Sequence, residues 1–212
     1  MDNYRICRVV EMMRSRPTGL TTVLPHLQTA DQFYSRVIAM QRMIDNDSPT
    51  PVSAALIPYH IDGDQQMHLL MSVAGTVVKR KQQVLDNKRI WVAVKGGYDP
   101  VDDNDSVLNA ALREWYEETH IDLNQLTATV DLALGSVTQY SGKNVFAFAA
   151  RCNKMIDLQT IDWYSDTVTI NGTEIPETAH LRWMTIDQAQ KMVYKPHLQL
   201  INRLHSYYVN NH

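Results

Sequence analysis

The stretch Asp105-Ser-Val-Leu-Asn-Ala-Ala-Leu-Arg-Glu-Trp-Tyr-Glu-Glu-Thr119, with the pair Gly96-Gly97 shortly before it, decides the fold. At 3.6 residues per turn its apolar side chains fall on one stripe, formed by Leu108, Ala111, Leu112 and Trp115. This periodicity predicts an amphipathic helix from Asp105 to about Thr119, with Asp105 or Ser106 as its N-cap. The neighbouring aspartates of the preceding loop, Asp99, Asp102 and Asp103, are interpreted as capping rather than metal-binding residues.

Three carboxylates lie beside the stripe, within an arc of about 100°. Glu114 and Glu118 repel each other at a cost of about 0.2–0.5 kcal/mol. Glu117 and Glu118 also lie in the last turn, where the helix dipole disfavours anions. Arg113, four residues before Glu117, offsets part of this cost. A divalent cation would offset far more, because carboxylate oxygens are ligands that Mg²⁺ accepts. The helix therefore predicts a metal site.

The same helix resembles the signature of the Nudix hydrolase family, G-x5-E-x7-R-E-U-x-E-E-x-G-U, where U is a bulky aliphatic residue. The residues in register with it are Arg113, Glu114, Glu117, Glu118 and Ile121. The departures are two extra residues between Gly97 and Arg113, and Asp105, Trp115 and His120 in place of Glu, an aliphatic residue and the closing Gly. None of them removes a carboxylate, but histidine tolerates a left-handed helix end less well than glycine does.

Strand patterns on both sides of this helix support the resemblance. Val52–Ile61 and Gln66–Ala74 flank the hairpin signal Asp62-Gly63. Further strands are expected at residues 89–95, 127–138, 144–152, 166–171 and 173–175, with helices opening near Thr185 or Asp187 and at Lys195. The last two strands bracket Asn171-Gly172, a second hairpin signal. The resemblance implies an α/β fold: a Nudix-like α/β/α sandwich with a mixed sheet and an N-terminal helical extension.

The run Asp45–Pro51 breaks the chain and predicts a boundary, with an N-terminal extension at 1–48 and a Nudix hydrolase domain at 49–212. Thr29 is the expected cap of a helix in the extension. The extension could be a packing element, a substrate lid or a dimerisation element, and a homodimer is possible. Packing is favoured because the extension contains no chemical motif. An adaptor that uses this helix as an interface is a further hypothesis.

The resemblance implies Mg²⁺- or Mn²⁺-dependent hydrolysis of a diphosphate bond. It implies Glu114, Glu117 and Glu118 as metal ligands together with the backbone of Gly97. Arg113 would orient Glu117 or a neighbouring carboxylate. Glu177, several residues before Trp183, is a candidate additional ligand or base. The general base could be Glu114, Glu118 or Glu177.

The substrate implied is a nucleoside diphosphate linked to another moiety, such as a nucleotide sugar, ADP-ribose, a dinucleoside polyphosphate or an NTP. Candidate substrate-binding residues are Arg80, in the basic run 79–81, then Lys95 before the glycine pair, and Tyr98. Tyr140 and Trp91 could also stack on a base. Lys95-Gly96 resembles the entry found in polyphosphate-cleaving members. A catalytically silent Nudix-like binding module and an mRNA-decapping enzyme are the alternatives.

Composition restricts the partners and the compartment. The 212 residues carry a net charge of -3, which favours neither general nucleic-acid binding nor attraction to anionic membranes. Cys7 and Cys152 lack metal-type spacing and are expected to be reduced thiols. The N-terminus lacks the apolar core of a signal peptide, and apolar stretches are too short to span a bilayer. A cytoplasmic protein without membrane association is expected.

Overall fold

The computed structural model describes residues 29–46, 50–76 and 90–211. The helices of this part are α1 (Ala30–Asn46), α2 (Val107–Thr119), α3 (Ile186–Met192) and α4 (Lys195–Asn210). The strands are β1 (Val52–Ile61), β2 (Met67–Ala74), β3 (Val94–Gly97), β4 (Ala128–Thr138), β5 (Asn144–Cys152), β6 (Thr167–Ile170), β7 (Thr173–Pro176) and β8 (Thr178–Thr185). Cys7, Arg80 and most of the predicted extension lie outside the described residues.

The central sheet is mixed. Its strands follow the order β4-β5-β1-β2-β8, and β3 pairs with the first half of β1. The pair β1–β5 is parallel, whereas the other pairs are antiparallel. A separate two-stranded sheet, β6–β7, turns at Asn171-Gly172, where both residues have positive φ. The predicted hairpin turn at this dipeptide is confirmed.

Strand β1 separates two hydrophobic clusters because its side chains alternate between the faces of the sheet. Ala54 and Leu56 pack on the face covered by α1 and α2. Ala55 and Ile57 pack on the opposite face, which α3 and α4 cover. All four side chains are fully buried. Helices on both faces of a mixed sheet make the predicted α/β/α sandwich, which is confirmed.

Three details of the prediction are wrong. Helix α2 begins at Val107 rather than Asp105, because Asn104 and Asp105 have positive φ and Ser106 is the extended N-cap. The strand expected over residues 89–95 begins only at Val94 and includes both glycines. The buried apolar side of α2 is made of Val107, Ala110, Ala111 and Trp115, whereas Leu108 and Leu112 are only half-buried.

Helix α1 packs directly on the sandwich. The Thr29 hydroxyl accepts the Gln32 N–H, as expected for the cap. Phe33 and Met40 are buried in the cluster beneath α2. Gln41 accepts the Val107 N–H at 3.0 Å, and so bonds to the first turn of α2. Within the described residues, this part of the predicted extension is therefore a packing element. No helix in these ranges combines the length and the apolarity needed to cross a bilayer.

Candidate active site

Helix α2 carries the central residues of the candidate site. Ser106 caps its first turn by accepting the Asn109 N–H at 3.3 Å. Its last turn ends at His120, which has φ 51° and ψ 19° and donates its N–H to the Tyr116 carbonyl. A histidine thus takes the left-handed conformation that the family signature gives to glycine. The helix still ends at the predicted position.

Arg113 donates hydrogen bonds to oxygen atoms of four residues in the candidate site. Its Nη1 donates to Glu114 Oε1 and to Glu117 Oε2, each at 2.8 Å. Its Nη2 donates to the Gly97 carbonyl at 2.8 Å. Its Nε donates to Asp103 Oδ1 at 2.8 Å, and Nη2 reaches the second Asp103 oxygen at 3.1 Å. These hydrogen bonds raise the pKa of Arg113 above its ordinary value. Arg113 therefore orients Glu117 and its neighbour Glu114.

Asp103 is the main residue of this network that the sequence analysis did not place in it. Only 1% of its surface is exposed, and both of its oxygens bond to Arg113. It also accepts the Asp99 N–H at 2.8 Å, so it does contribute to the loop. The interpretation of Asp103 as a capping residue alone is wrong. Its burial depends on the path of the loop, for which the sequence offers no local signal.

Glu114 is buried against the glycine pair. Burial raises the pKa of this carboxyl, while the positive charge of Arg113 opposes the shift. A Cβ placed on Gly96 would overlap the Glu114 carboxylate, whereas one placed on Gly97 would meet nothing within 4 Å. Gly96 is therefore required by close packing rather than by a turn. Both glycines lie in β3, where they pair with Ala54 and Ser53.

Glu118 faces β8. Its Oε2 accepts the Thr178 hydroxyl at 2.8 Å. Burial, and to a smaller degree the nearby Glu177 and Glu114 carboxylates, raises the pKa of Glu118 to about 7, against the lowering effects of Thr178 and Lys95. A carboxylate with a pKa near neutrality can bind a proton or a cation under physiological conditions.

Glu177 lies just after β7 and interacts electrostatically with Glu114, Glu117 and Glu118. Burial raises its pKa, with further raising contributions from Asp166 and Glu117. The charge of Lys95 lowers the pKa of both Glu177 and Glu118, so its ammonium group acts on two carboxylates. The structure thus brings Glu177, which is 59 positions after Glu118 in sequence, to the carboxylates of α2.

The remaining predicted residues have different surroundings. Gly97 presents its carbonyl to Arg113. Tyr98 accepts a hydrogen bond from Gln41 Nε2 at 2.9 Å and packs beside α1. Trp91 is buried, while Tyr140 is 75% exposed. Lys143, which the sequence analysis did not single out, has its pKa lowered by burial and by Lys95, against the effect of Glu114.

The donor set matches a hard divalent cation in its chemistry. Four carboxylates influence one another, and two of them lie within hydrogen-bonding distance of one nitrogen. As the side chains stand, no group of three or more His, Cys, Asp or Glu residues in the described ranges converges into a metal site. The reason is visible in the contacts: Glu114 and Glu117 point at Arg113, and Glu118 points at Thr178.

The chain is similar to known proteins in sequence and in structure. The model of the NUDIX domain matches residues 59–204. A Caenorhabditis elegans Ap4A hydrolase in a binary complex is 20% identical, with a TM-score of 0.49, over 74% of this chain and 98% of that one. The NUDIX domain of Shewanella oneidensis NrtR complexed with ADP ribose is 15% identical, with a TM-score of 0.46, over 78% and 96%. No curated protein matches the chain.

The matched segment covers more than half of the chain and includes α2 with its complete set of glutamates. The chain belongs to the NUDIX domain family.

Proposed function

We propose that the protein uses Mg²⁺ or Mn²⁺ to hydrolyse a diphosphate bond in a nucleoside diphosphate linked to another moiety. The observation that carries this proposal is the Arg113 network, which holds Glu114 and Glu117 side by side at the Gly97 carbonyl. Such crowding of acidic groups costs stability. Binding of a divalent cation would offset this cost, so a cation-binding role explains why the acidic groups are crowded together.

In this proposal, Glu114, Glu117 and Glu118 would hold the cation. A bound divalent cation would neutralise phosphate charge and lower the pKa of a water molecule. Arg113 keeps Glu114 and Glu117 in place. Glu118 or Glu177 is the proton acceptor, since burial raises the pKa of both carboxyls while Arg113 engages the other two.

The substrate side of the proposal rests on positive charge and an exposed ring. Lys95 and Lys143 interact electrostatically with each other and with carboxylates of the site, Glu118 and Glu114 respectively. They are therefore the candidate partners of substrate phosphates. Tyr140 lies in the loop before Lys143, and its exposed ring meets that of Tyr194 edge-on at 5.6 Å. An exposed aromatic ring three positions before Lys143 suits a nucleotide, whose base can stack on the ring while its phosphates meet the lysines.

A substrate panel tests the proposal. The purified protein is incubated with nucleotide sugars, ADP-ribose, dinucleoside polyphosphates, NTPs and capped RNA, each with Mg²⁺, with Mn²⁺ or with EDTA. Products are identified by mass spectrometry. We expect cleavage at a diphosphate bond that stops in EDTA and returns with the cation. Equal turnover in EDTA, or binding of nucleotides without turnover of any, would contradict the proposal. Cleavage of capped RNA alone would favour the decapping alternative.

A further inference from the structure

His120 contacts a segment that runs past the C-terminal end of α2, residues 164–166. Its ring stacks on the ring of Tyr164, with 3.7 Å between centres and 19° between planes. Its Nδ1 lies 3.2 Å from the Tyr164 carbonyl oxygen, and its Nε2 lies 3.5 Å from Asp166 Oδ1. One side chain therefore touches the ring, the backbone and a carboxylate of this segment.

The same segment joins α2 to Glu177 through backbone hydrogen bonds. The Asp166 N–H donates to the Glu117 carbonyl at 3.1 Å, which satisfies one of the carbonyls left unpaired in the last turn of the helix. The Asp166 carbonyl accepts the Glu177 N–H at 2.8 Å. A single residue, held by His120, thus bonds to the helix on one side and to Glu177 on the other.

A second connection passes through Thr178. The Ser165 hydroxyl accepts the Thr178 N–H at 2.8 Å and donates to the Asp166 carbonyl at 2.9 Å. The Thr178 hydroxyl in turn donates to Glu118 at 2.8 Å. Any shift of the segment therefore reaches Glu118 as well as Glu177.

We propose that His120 is a positioning residue of the active site, which holds residues 164–166 against the end of α2 and so sets the places of Glu177 and Thr178 beside Glu118. The left-handed backbone of His120, at φ 51°, is unfavourable for any residue other than glycine. A glycine at this position would end the helix without strain. It would, however, remove the imidazole ring and its two nitrogens, which contact residues 164–166. The effect on turnover rests on the proposed function, whereas the effect on the segment rests on the contacts alone.

The test compares His120→Gly with wild type in two measurements. Hydrogen exchange follows the amides of Asp166, Glu177 and Thr178, and steady-state kinetics separate kcat from KM. We expect these amides to exchange at least about tenfold faster and kcat to fall about tenfold with KM little changed, because small displacements of reacting groups are costly. We also expect the melting temperature to be retained, since glycine suits the left-handed position.

Thr127→Gly is the matched control, because Thr127 is exposed and also has positive φ, at 47°. It relieves the same kind of strain away from the segment and is expected to leave exchange and kcat unchanged. His120→Asn, which tolerates the left-handed conformation but has no ring to stack, should reproduce the effects of His120→Gly if the glycine variant is unstable.

The outcomes separate the two proposals. Unchanged exchange of the three amides, or faster exchange with unchanged kcat, would overturn the positioning role. Faster exchange in a protein whose wild type turns over no nucleotide would support the contact of His120 with the segment and would overturn the proposed function instead.

Discussion

At the scale of single residues, the positive charge of Arg113 compensates the acidic side chains around it. Arg113 was expected from its spacing to offset part of the repulsion between the glutamates of α2. The guanidinium does this by placing one nitrogen between Glu114 and Glu117 and another on the Gly97 carbonyl. Asp103 supplies the opposing anchor from the loop. The assignment of metal ligands among these residues stays a prediction.

Glu117→Gln is expected to lower kcat by at least about 100-fold, because it removes a negative charge from the proposed metal site while keeping the shape and the acceptor oxygen. Cation affinity, measured by isothermal titration, should fall in parallel, and circular dichroism should show an unchanged fold. Glu174→Gln, in the exposed β6–β7 hairpin, is the matched control. Full turnover in the Glu117 variant would exclude this residue from the site.

Glu118 should make the stability of the metal-free protein depend on pH. Burial raises its pKa from 4.5 to about 7 in the folded chain, so folding favours the protonated form. The resulting stabilisation is complete below the unfolded pKa near 4.5 and is lost as pH rises through about 7. In EDTA, we expect the unfolding free energy of wild type to drop between pH 4.5 and 8 by about 3 kcal/mol more than that of Glu118→Gln.

Urea unfolding of both proteins at several pH values measures this difference. Glu114 and Glu177 shift in the same direction in both proteins, so only the gap between wild type and variant reports on Glu118. Parallel stability curves would show that its carboxyl titrates as it does in the unfolded chain.

At the scale of elements, the important unit is the contact between β3 and α2. Both glycines extend β3 along β1. The strand therefore runs close beneath the helix, and Gly96 leaves room for the Glu114 carboxylate. The close approach of β3 to α2 therefore depends on the absence of a side chain at Gly96.

Gly96→Ala is expected to destabilise the protein by about 1–3 kcal/mol, because the new Cβ overlaps the buried Glu114 carboxylate. Gly97→Ala is the control for stability, since a Cβ there meets nothing within 4 Å. Thermal unfolding compares the two variants. Equal melting temperatures would mean that Glu114 moves away at little cost and that the close packing is not required.

At the scale of the whole molecule, α1 closes one face of the sandwich. It buries Phe33 and Met40 next to α2, and Gln41 bonds to both Val107 and Tyr98. The predicted boundary near residue 48 is untested, since residues 47–49 lie outside the described ranges.

Deleting residues 1–48 is expected to lower stability by several kcal/mol or to change the oligomeric state, because the partners that bury Phe33 and Met40 become exposed. Cation binding at the proposed site should persist, since its acidic residues all lie after α1. Chemical unfolding, light scattering and cation titration of the truncated protein measure these three properties. Loss of cation binding with an intact fold would show that the domain boundary is misplaced.

Local chemistry made much of this protein predictable from its sequence. The residue pattern located α2, β1 and β5, and the turn dipeptide located the hairpin at Asn171-Gly172, because each is determined by neighbours in the chain. The spacing of Arg113, Glu114, Glu117 and Glu118 pointed to the family, and the family is confirmed. These features depend on side chains only a few residues apart.

Only the tertiary structure decided which distant groups meet these residues. Asp103 reaches Arg113 because the loop before α2 folds back, and Thr178 reaches Glu118 because β8 begins beside the helix end. His120 contacts Asp166 across 46 positions of sequence. The physical reason is that burial and packing between elements depend on how the whole chain closes around its sheet, so no local pattern encodes them.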